Sequence, residues 1–370
     1  MSMRMITFLL FSAMCTIPSL SANAADLKIG IIAPMTGQEA DAGRDMENSV
    51  KLAVTEINKK GGVIGNTVST LTVDDACDPQ QGAAAASKLV SAGVVAIVGG
   101  YCSGAVLPTL KIYGDASIPF VISAANSTKL IGANMGNTFM IDSTADTQVV
   151  TAIKLLKQNH AKSIALIDQG DAYSSDLTKL LDAEFVKAGG TIVARETVAT
   201  GEQDFSSLVS RLKAAKPGVI FWAGYYDGSA LLIRQLRQSG VKTPLVLSDA
   251  NNTPDFLKIA GSAAEGTLIL SPPVLDLLPN GGAFKKAYVE TYSRDPGAYA
   301  ALTYDATNLV FDAVKRAKSI DKKAIITALK GSNYAGLAGQ IRFAPDNTLL
   351  GSSFTVLIDK AGKWAAYPIQ

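Results

Sequence analysis

The residues best suited to chemistry gather in Gly99-Gly100-Tyr101-Cys102-Ser103-Gly104, directly after the apolar run 94–98. A short apolar run that empties through glycines into a helical pattern reads as a buried strand followed by a helix start. The first turn of a helix leaves backbone N–H groups unpaired, and its dipole adds partial positive charge, so a carboxylate or phosphate finds a hole there. The Ser103 hydroxyl adds a donor at the same place. The stretch also fits G-x-C-x-G, the cysteine form of a nucleophile elbow. That chemistry needs a histidine base, and the one histidine, His160, falls between a helical pattern and the strand at Ser163, away from the strand carboxyl ends. An enzyme is therefore not expected. Neither G-x-G-x-x-G nor G-x-x-x-x-G-K-[ST] occurs, which removes dinucleotide and P-loop chemistry. One histidine and few cysteines are too little for a structural zinc site, so no metal and no other cofactor is expected.

What must position these residues is a repeated strand–helix alternation. Apolar runs predict strands over 27–32, 68–73, 94–98 and 119–122, separated by helices from Asp45 onward, over 80–92, and through Val106, Leu110 and Ile112. Asp78 can cap the second of these helices, with Pro79 in its first turn. The pattern restarts around 142–146, with strands over 163–167, 191–198, 219–222 and 244–247 and helices over 149–156, 174–187, 205–214 and 230–238. After a run at 268–270, Ser271-Pro272-Pro273 reads as a crossing between lobes. Helices over 284–292, 301–317 and 322–329 follow, then strands over 339–343 and 354–358. Such alternation implies an α/β protein of two doubly wound lobes, each a parallel sheet covered on both faces. Lobes that face each other across several crossings form a hinged cleft. Ligands of such sheets sit at the strand carboxyl ends. Cys77, Ser103 and Asn126 lie there in the first half; Asp168, Tyr173, Tyr225 and Asp249 do so in the second. Asp168 and Asp227 read as turn residues.

The chain of 370 residues, 48% hydrophobic and 18% charged, is long enough for two cores and excludes a disordered protein. A net charge of +2 without basic blocks gives no reason to expect nucleic acid. Arg4, the apolar stretch 6–17 and Ala22-Asn23-Ala24 form a secretory signal peptide over 1–24, cut after Ala24. Cys15 lies in its apolar core behind Met14, which is not the small residue that lipoprotein processing prefers. Cys77 and Cys102 then remain in an oxidising compartment, where an even count suggests a disulfide; two buried free thiols are the alternative.

The segments Ile29-Gly30-Ile31-Ile32-Ala33-Pro34-Met35-Thr36-Gly37, Asn58-Lys59-Lys60-Gly61-Gly62-Val63-Ile64-Gly65-Asn66 and Asp74-Asp75-Ala76-Cys77-Asp78-Pro79-Gln80-Gln81 carry a resemblance. Cys102-Ser103, Thr200-Gly201-Glu202-Gln203-Asp204-Phe205-Ser206, Gly224-Tyr225 and Ile259-Ala260-Gly261 extend it. Over nearly its whole mature length the chain resembles periplasmic binding proteins of branched-chain amino acid ABC transporters, the leucine/isoleucine/valine-binding type. The resemblance implies a type I periplasmic binding protein with lobes of 25–143 plus 273–352 and 144–272 plus 353–370. It also implies a Cys77–Cys102 disulfide, a periplasmic location, a monomer and a membrane permease as partner. By position it puts the ligand carboxylate at Ser103 and nearby backbone N–H groups. The ammonium falls to the Ala124 carbonyl, Asn126 and Asp249, with Tyr173 and Tyr225 on the opposite wall.

Departures from that pattern concern specificity. Asn126 stands for a threonine and Asp249 for a longer glutamate. Ala42 replaces an aromatic, Tyr101 replaces an aliphatic residue, and Tyr299 matches an aromatic wall position. The expected ligand is a neutral amino acid, branched-chain or related. An amide or a small aromatic or aliphatic carboxylate is the alternative ligand, and the ligand-sensing subunit of a signalling system the alternative role.

Overall fold

The computed structural model describes residues 26–351 and 354–369. The segment expected to be a signal peptide lies outside them, as do Ser352 and Ser353 at the last expected lobe boundary. Two sheets form the centres of two lobes. In the first, the strands run in the order Val68–Asp74, Leu27–Ala33, Ala96–Gly99, Phe120–Ile122, Thr138–Met140, all parallel. In the second, the order is Lys363–Ala366, Thr355–Lys360, Leu268–Ser271, Leu245–Leu247, Val219–Trp222, Ser163–Asp168, Thr191–Thr197. Thr355–Lys360 pairs antiparallel with both Leu268–Ser271 and Lys363–Ala366, and the other pairs in this sheet are parallel. A two-stranded ribbon joins Tyr334–Ala335 to Gln340–Ile341.

The strands read as continuous apolar runs because both faces are covered, as parallel sheets require. Ile29, Ile31, Ile97, Val98, Phe221 and Trp222 are all fully buried. Helix Ala40–Lys59 turns Met46, Val50, Ala53 and Ile57 inward at helical spacing. Helices Gly281–Tyr292 and Ala300–Ala317 return to it: Tyr288 donates to Asp45 at 2.8 Å and Tyr292 to the Asn48 carbonyl at 2.8 Å. The segment after the run at 268–271 thus packs on the first lobe, while Thr355–Lys360 pairs with the second sheet.

Two details differ from the sequence expectation. The helix drawn through Val106, Leu110 and Ile112 is two helices, Ser103–Val106 and Thr109–Asp115, because Pro108 cannot donate to a continuing ladder. The strands Thr138–Met140 and Lys363–Ala366, and the helices Thr128–Ala133 and Pro254–Ala260, were not expected.

Each sheet has one place where consecutive crossovers leave in opposite directions, and crevices open there at the strand ends. In the first sheet it lies between Leu27–Ala33 and Ala96–Gly99; in the second, between Ser163–Asp168 and Val219–Trp222. The loops carrying Glu39, Tyr101 and Ser103 leave the first crevice. Those carrying Tyr173 and Tyr225 leave the second.

Candidate ligand-binding site

The expected anion hole begins at Gly99 and Gly100, whose φ values of 113° and 79° suit glycine. A Cβ on Gly99 would collide with the Ile32 carbonyl, so the close pass over the neighbouring strand needs this residue. The turn delivers Cys102 as the helix-preceding residue and Ser103 as the first helical one. Cys102 is joined to Cys77 with Cα atoms 5.2 Å apart. The bridge spans the end of Leu27–Ala33 and ties the loops of its two neighbouring strands together. Ser103 is buried, and its Oγ accepts from the Ser127 N–H at 3.3 Å. The loop at Ser123–Asn126 is pinned beside it, with Ser123 and Ala125 N–H groups bonded to the Gly99 and Gly100 carbonyls at 3.0 and 2.9 Å. Helix Ser103–Val106 is a single turn, so its dipole is weak and the main-chain N–H groups and the hydroxyl must provide most of any anion binding.

Opposite stands Asp249, at the end of Leu245–Leu247 in the second lobe and 2% exposed. Its Oδ1 accepts from Gln148 Nε2 at 2.9 Å and the Tyr173 hydroxyl at 2.6 Å. Its Oδ2 accepts from Asn126 Nδ2 at 3.0 Å and the Tyr299 hydroxyl at 2.6 Å, both from the first lobe's side. Burial pushes its carboxyl above the usual range, and the donated hydrogen bonds oppose that shift. Asp142 lies close by, buried, with Oδ2 unpartnered; burial and then the charge of Asp249 raise its carboxyl further. Asn126 Oδ1 is likewise buried without a partner, leaving an acceptor beside Asp249.

Four tyrosines wall the space between the lobes. Tyr101 meets Tyr299 edge-on at 5.5 Å, and Tyr225 lies 6.0 Å from Tyr101 and 5.7 Å from Tyr173. Together with Ala124, Asn126 and Asp249 they line a cavity of about 10 Å³ in this closed arrangement. Of the expected site residues, Tyr101, Ala124, Asn126, Tyr173, Tyr225, Asp249 and Tyr299 line this one cavity, whereas Ser103 does not line it and is held by the Ser127 N–H.

Residues 26–363 match the family model described as periplasmic binding protein. This chain belongs to the periplasmic binding protein family. The Leu/Ile/Val-binding protein BraC3 of Rhizobium johnstonii is 30% identical over 345 residues, 92% of this chain and 94% of that one. The leucine-specific-binding protein of Salmonella typhimurium is 30% identical over 341 residues, 91% and 92% of the two chains. Among solved structures, a leucine binding protein from Thermotoga maritima superposes with a TM-score of 0.86 at 28% identity, covering 93% of this chain and 98% of that one. A periplasmic binding protein captures a solute and performs no reaction on it. The cysteine-nucleophile chemistry accordingly has no support here: Cys102 is spent in a disulfide, and exposed His160 sits before Ser163–Asp168, at the opposite strand edge.

As a periplasmic binding protein, the chain holds its lobes together through residues that local spacing did not reveal. Asp176, in helix Ser174–Lys187 of the second lobe, accepts from the Thr128 N–H at 2.6 Å and from the Ser127 and Thr128 hydroxyls at 2.8 Å each. It thereby caps helix Thr128–Ala133 of the first lobe from across the cleft. Gln169 orients the opposite wall, its Oε1 accepting from the Tyr225 N–H at 2.6 Å. Asp168 is the turn residue expected, bonded to the Gly170 N–H at 2.9 Å. Gln148, Asp142 and Glu39 were also missed. Only a partnerless acid or amide at a strand or helix end could have flagged them.

Proposed function

We propose that the chain is the solute-binding component of an ABC importer that captures an α-amino acid between its lobes and delivers it to a membrane permease. The protein would act as a periplasmic monomer after removal of residues 1–24, with lobes of 25–143 plus 273–352 and 144–272 plus 353–370. The membership of the two sheets and the packing of helices Gly281–Tyr292 and Ala300–Ala317 support that division. The ligand carboxylate lies at Ser103 and adjacent N–H groups; its ammonium is held by Asp249, the Ala124 carbonyl and Asn126 Oδ1; Tyr101, Tyr173, Tyr225 and Tyr299 surround the rest.

The observation that carries this reading is the buried Asp249 carboxylate facing Asn126 and Tyr299 across the cleft. Charge-assisted bonds strengthen where water is excluded, and a buried charge demands a partner. The rings would also suit an aromatic carboxylate, and a Rhodopseudomonas palustris solute-binding protein of the same fold was solved with benzoate. A ligand with only negative charge, however, would enter a dry site beside Asp249 and Asp142, which like-charge repulsion opposes.

A thermal-shift screen tests the choice, because a ligand that binds only the folded state raises the melting temperature. Amino acids should raise it while benzoate and simple amides leave it unchanged. Stabilisation by benzoate without stabilisation by any amino acid refutes the reading.

A further inference from the structure

Glu39 precedes helix Ala40–Lys59 at the first sheet's crevice and makes no capping bond, yet it is only 5% exposed. Its Oε2 has no hydrogen-bond partner, and neither has the hydroxyl of Tyr101, also 5% exposed and close to it. Across the cleft, Asp227 in helix Tyr226–Gln238 has a buried Oδ1 without a partner. The lobes touch at this point, where the Tyr226 hydroxyl donates to the Gln38 carbonyl at 3.1 Å. Burial, then the charge of Asp227, holds the Glu39 carboxyl up at about 8.

A cavity of about 30 Å³ meets this cluster at Tyr101; Glu39 and Asp227 do not line it, but Asp41, Ala42, Asp255 and Tyr226 do, and Tyr101 and Tyr299 border the Asp249 cavity as well. Arg294 pairs with Asp41 at 3.0 Å and Asp45 at 3.3 Å, and Arg44 with Asp41. No lysine or arginine among the described residues lines either cavity. Closing the lobes thus brings Glu39 and Asp227 together without a protein cation, and an acidic wall focuses positive charge toward them.

We propose that Glu39, Asp227 and the Tyr101 hydroxyl form a second polar subsite for a cationic side-chain end, so that the captured amino acid is a basic one. This rests on the amino-acid reading above. The α-groups occupy Ser103 and Asp249, the alkyl stem passes the Tyr101 and Tyr299 rings, and the distal ammonium or guanidinium meets Glu39. Ala42 presents only a methyl group to the cavity between Tyr101 and Tyr226. Ring faces of Tyr101 and Tyr225 add attraction for a cation.

Calorimetric titration with lysine and norleucine, equal in chain length and different in the distal ammonium, tests the subsite in the wild type and in Glu39→Gln. Lysine should bind the wild type at least tenfold more tightly, and Glu39→Gln should shrink that ratio at least tenfold. Norleucine or leucine binding as tightly as lysine overturns this inference and leaves the amino-acid reading standing. An unchanged ratio in a folded Glu39→Gln overturns it as well. Binding of benzoate with no amino acid bound removes both. Should Glu39→Gln not fold, the wild-type ratio alone decides.

Discussion

Replacing Asp249 by asparagine keeps the shape of the side chain and removes its charge, so the change reads the electrostatic role directly. The wild-type carboxylate accepts four hydrogen bonds, from Gln148, Tyr173, Asn126 and Tyr299, at 2.6–3.0 Å. Asparagine offers one acceptor oxygen where the carboxylate offers two, and its NH₂ meets donors. Hydroxyls can rotate away, but a buried donor left unpaired costs about 1–3 kcal/mol. That part of the effect belongs to the protein without ligand and appears as a lowered melting temperature. The binding effect is separate. A ligand ammonium facing a neutral amide loses its counter-charge in a dry site, and truncating one partner of a buried charge pair costs roughly 2–5 kcal/mol. The expected affinity loss is at least about 2 kcal/mol, roughly thirtyfold. Calorimetry with the best amino acid from the thermal-shift screen measures it. Tyr299→Phe is the companion variant: it removes one donor to Asp249 and leaves the charge, so its affinity loss should be smaller. Affinity of Asp249→Asn within threefold of wild type would show that no ammonium meets Asp249.

Denatured, unreduced protein should show no free thiol at Cys77 or Cys102, and replacing both by alanine should lower stability by about 3.5 kcal/mol on the chain-entropy model for a 25-residue separation. Asp176→Ala should strip helix Thr128–Ala133 of its cross-cleft cap, costing about 1–2 kcal/mol of closure; small-angle scattering should report a larger radius than wild type. Glu39 gives a pH dependence. Its carboxyl is raised from the ordinary 4.5 to about 8 in the closed protein, so the closed state binds more protons than the unfolded chain in that window. Stability therefore falls as pH rises from about 4.5 to about 8. Glu39→Gln lacks this proton, and its melting temperature should gain on wild type from pH 5 to pH 8 (~3 pH units, inside that window); parallel curves would sink the argument.

The two lobes were legible because their strands are unbroken apolar runs ended by glycine or polar turns, a pattern that buried parallel sheets impose locally. Ser103, Asn126, Tyr173, Tyr225 and Asp249 were legible for the same reason: each follows a strand, and strand ends of one sheet share an edge. Thr138–Met140 escaped because it starts on a threonine and only Phe139, Met140 and Ile141 are apolar before Asp142. Asp176, Gln148 and Glu39 escaped for a different reason. On their own helices, or just before one, they look like solvated polar residues or favourable acids near a helix start. Their burial depends on the facing lobe, and nothing in local spacing encodes which surface that will be.

Closure itself poses an electrostatic question that the contacts between lobes do not answer. Bringing the lobes together takes Asp249, Asp142 and Glu39 out of water, and burial raises all three above the ordinary carboxylate range. Asp227 is raised as well, again first by burial. Each shift measures a preference for the neutral form, so the charged acids oppose closing, while Asp176, Tyr299 and Asn126 favour it through hydrogen bonds across the cleft. A ligand can shift an equilibrium only by its differential affinity for the two states. A cation set between these acids has that differential affinity, because the acids converge on it only when the lobes are closed. With the lobes apart, the same ligand would face the acids of one lobe alone. On this argument the buried acids carry a stability cost that makes closure depend on a positively charged guest, and the tyrosines supply the surface on which that guest is held.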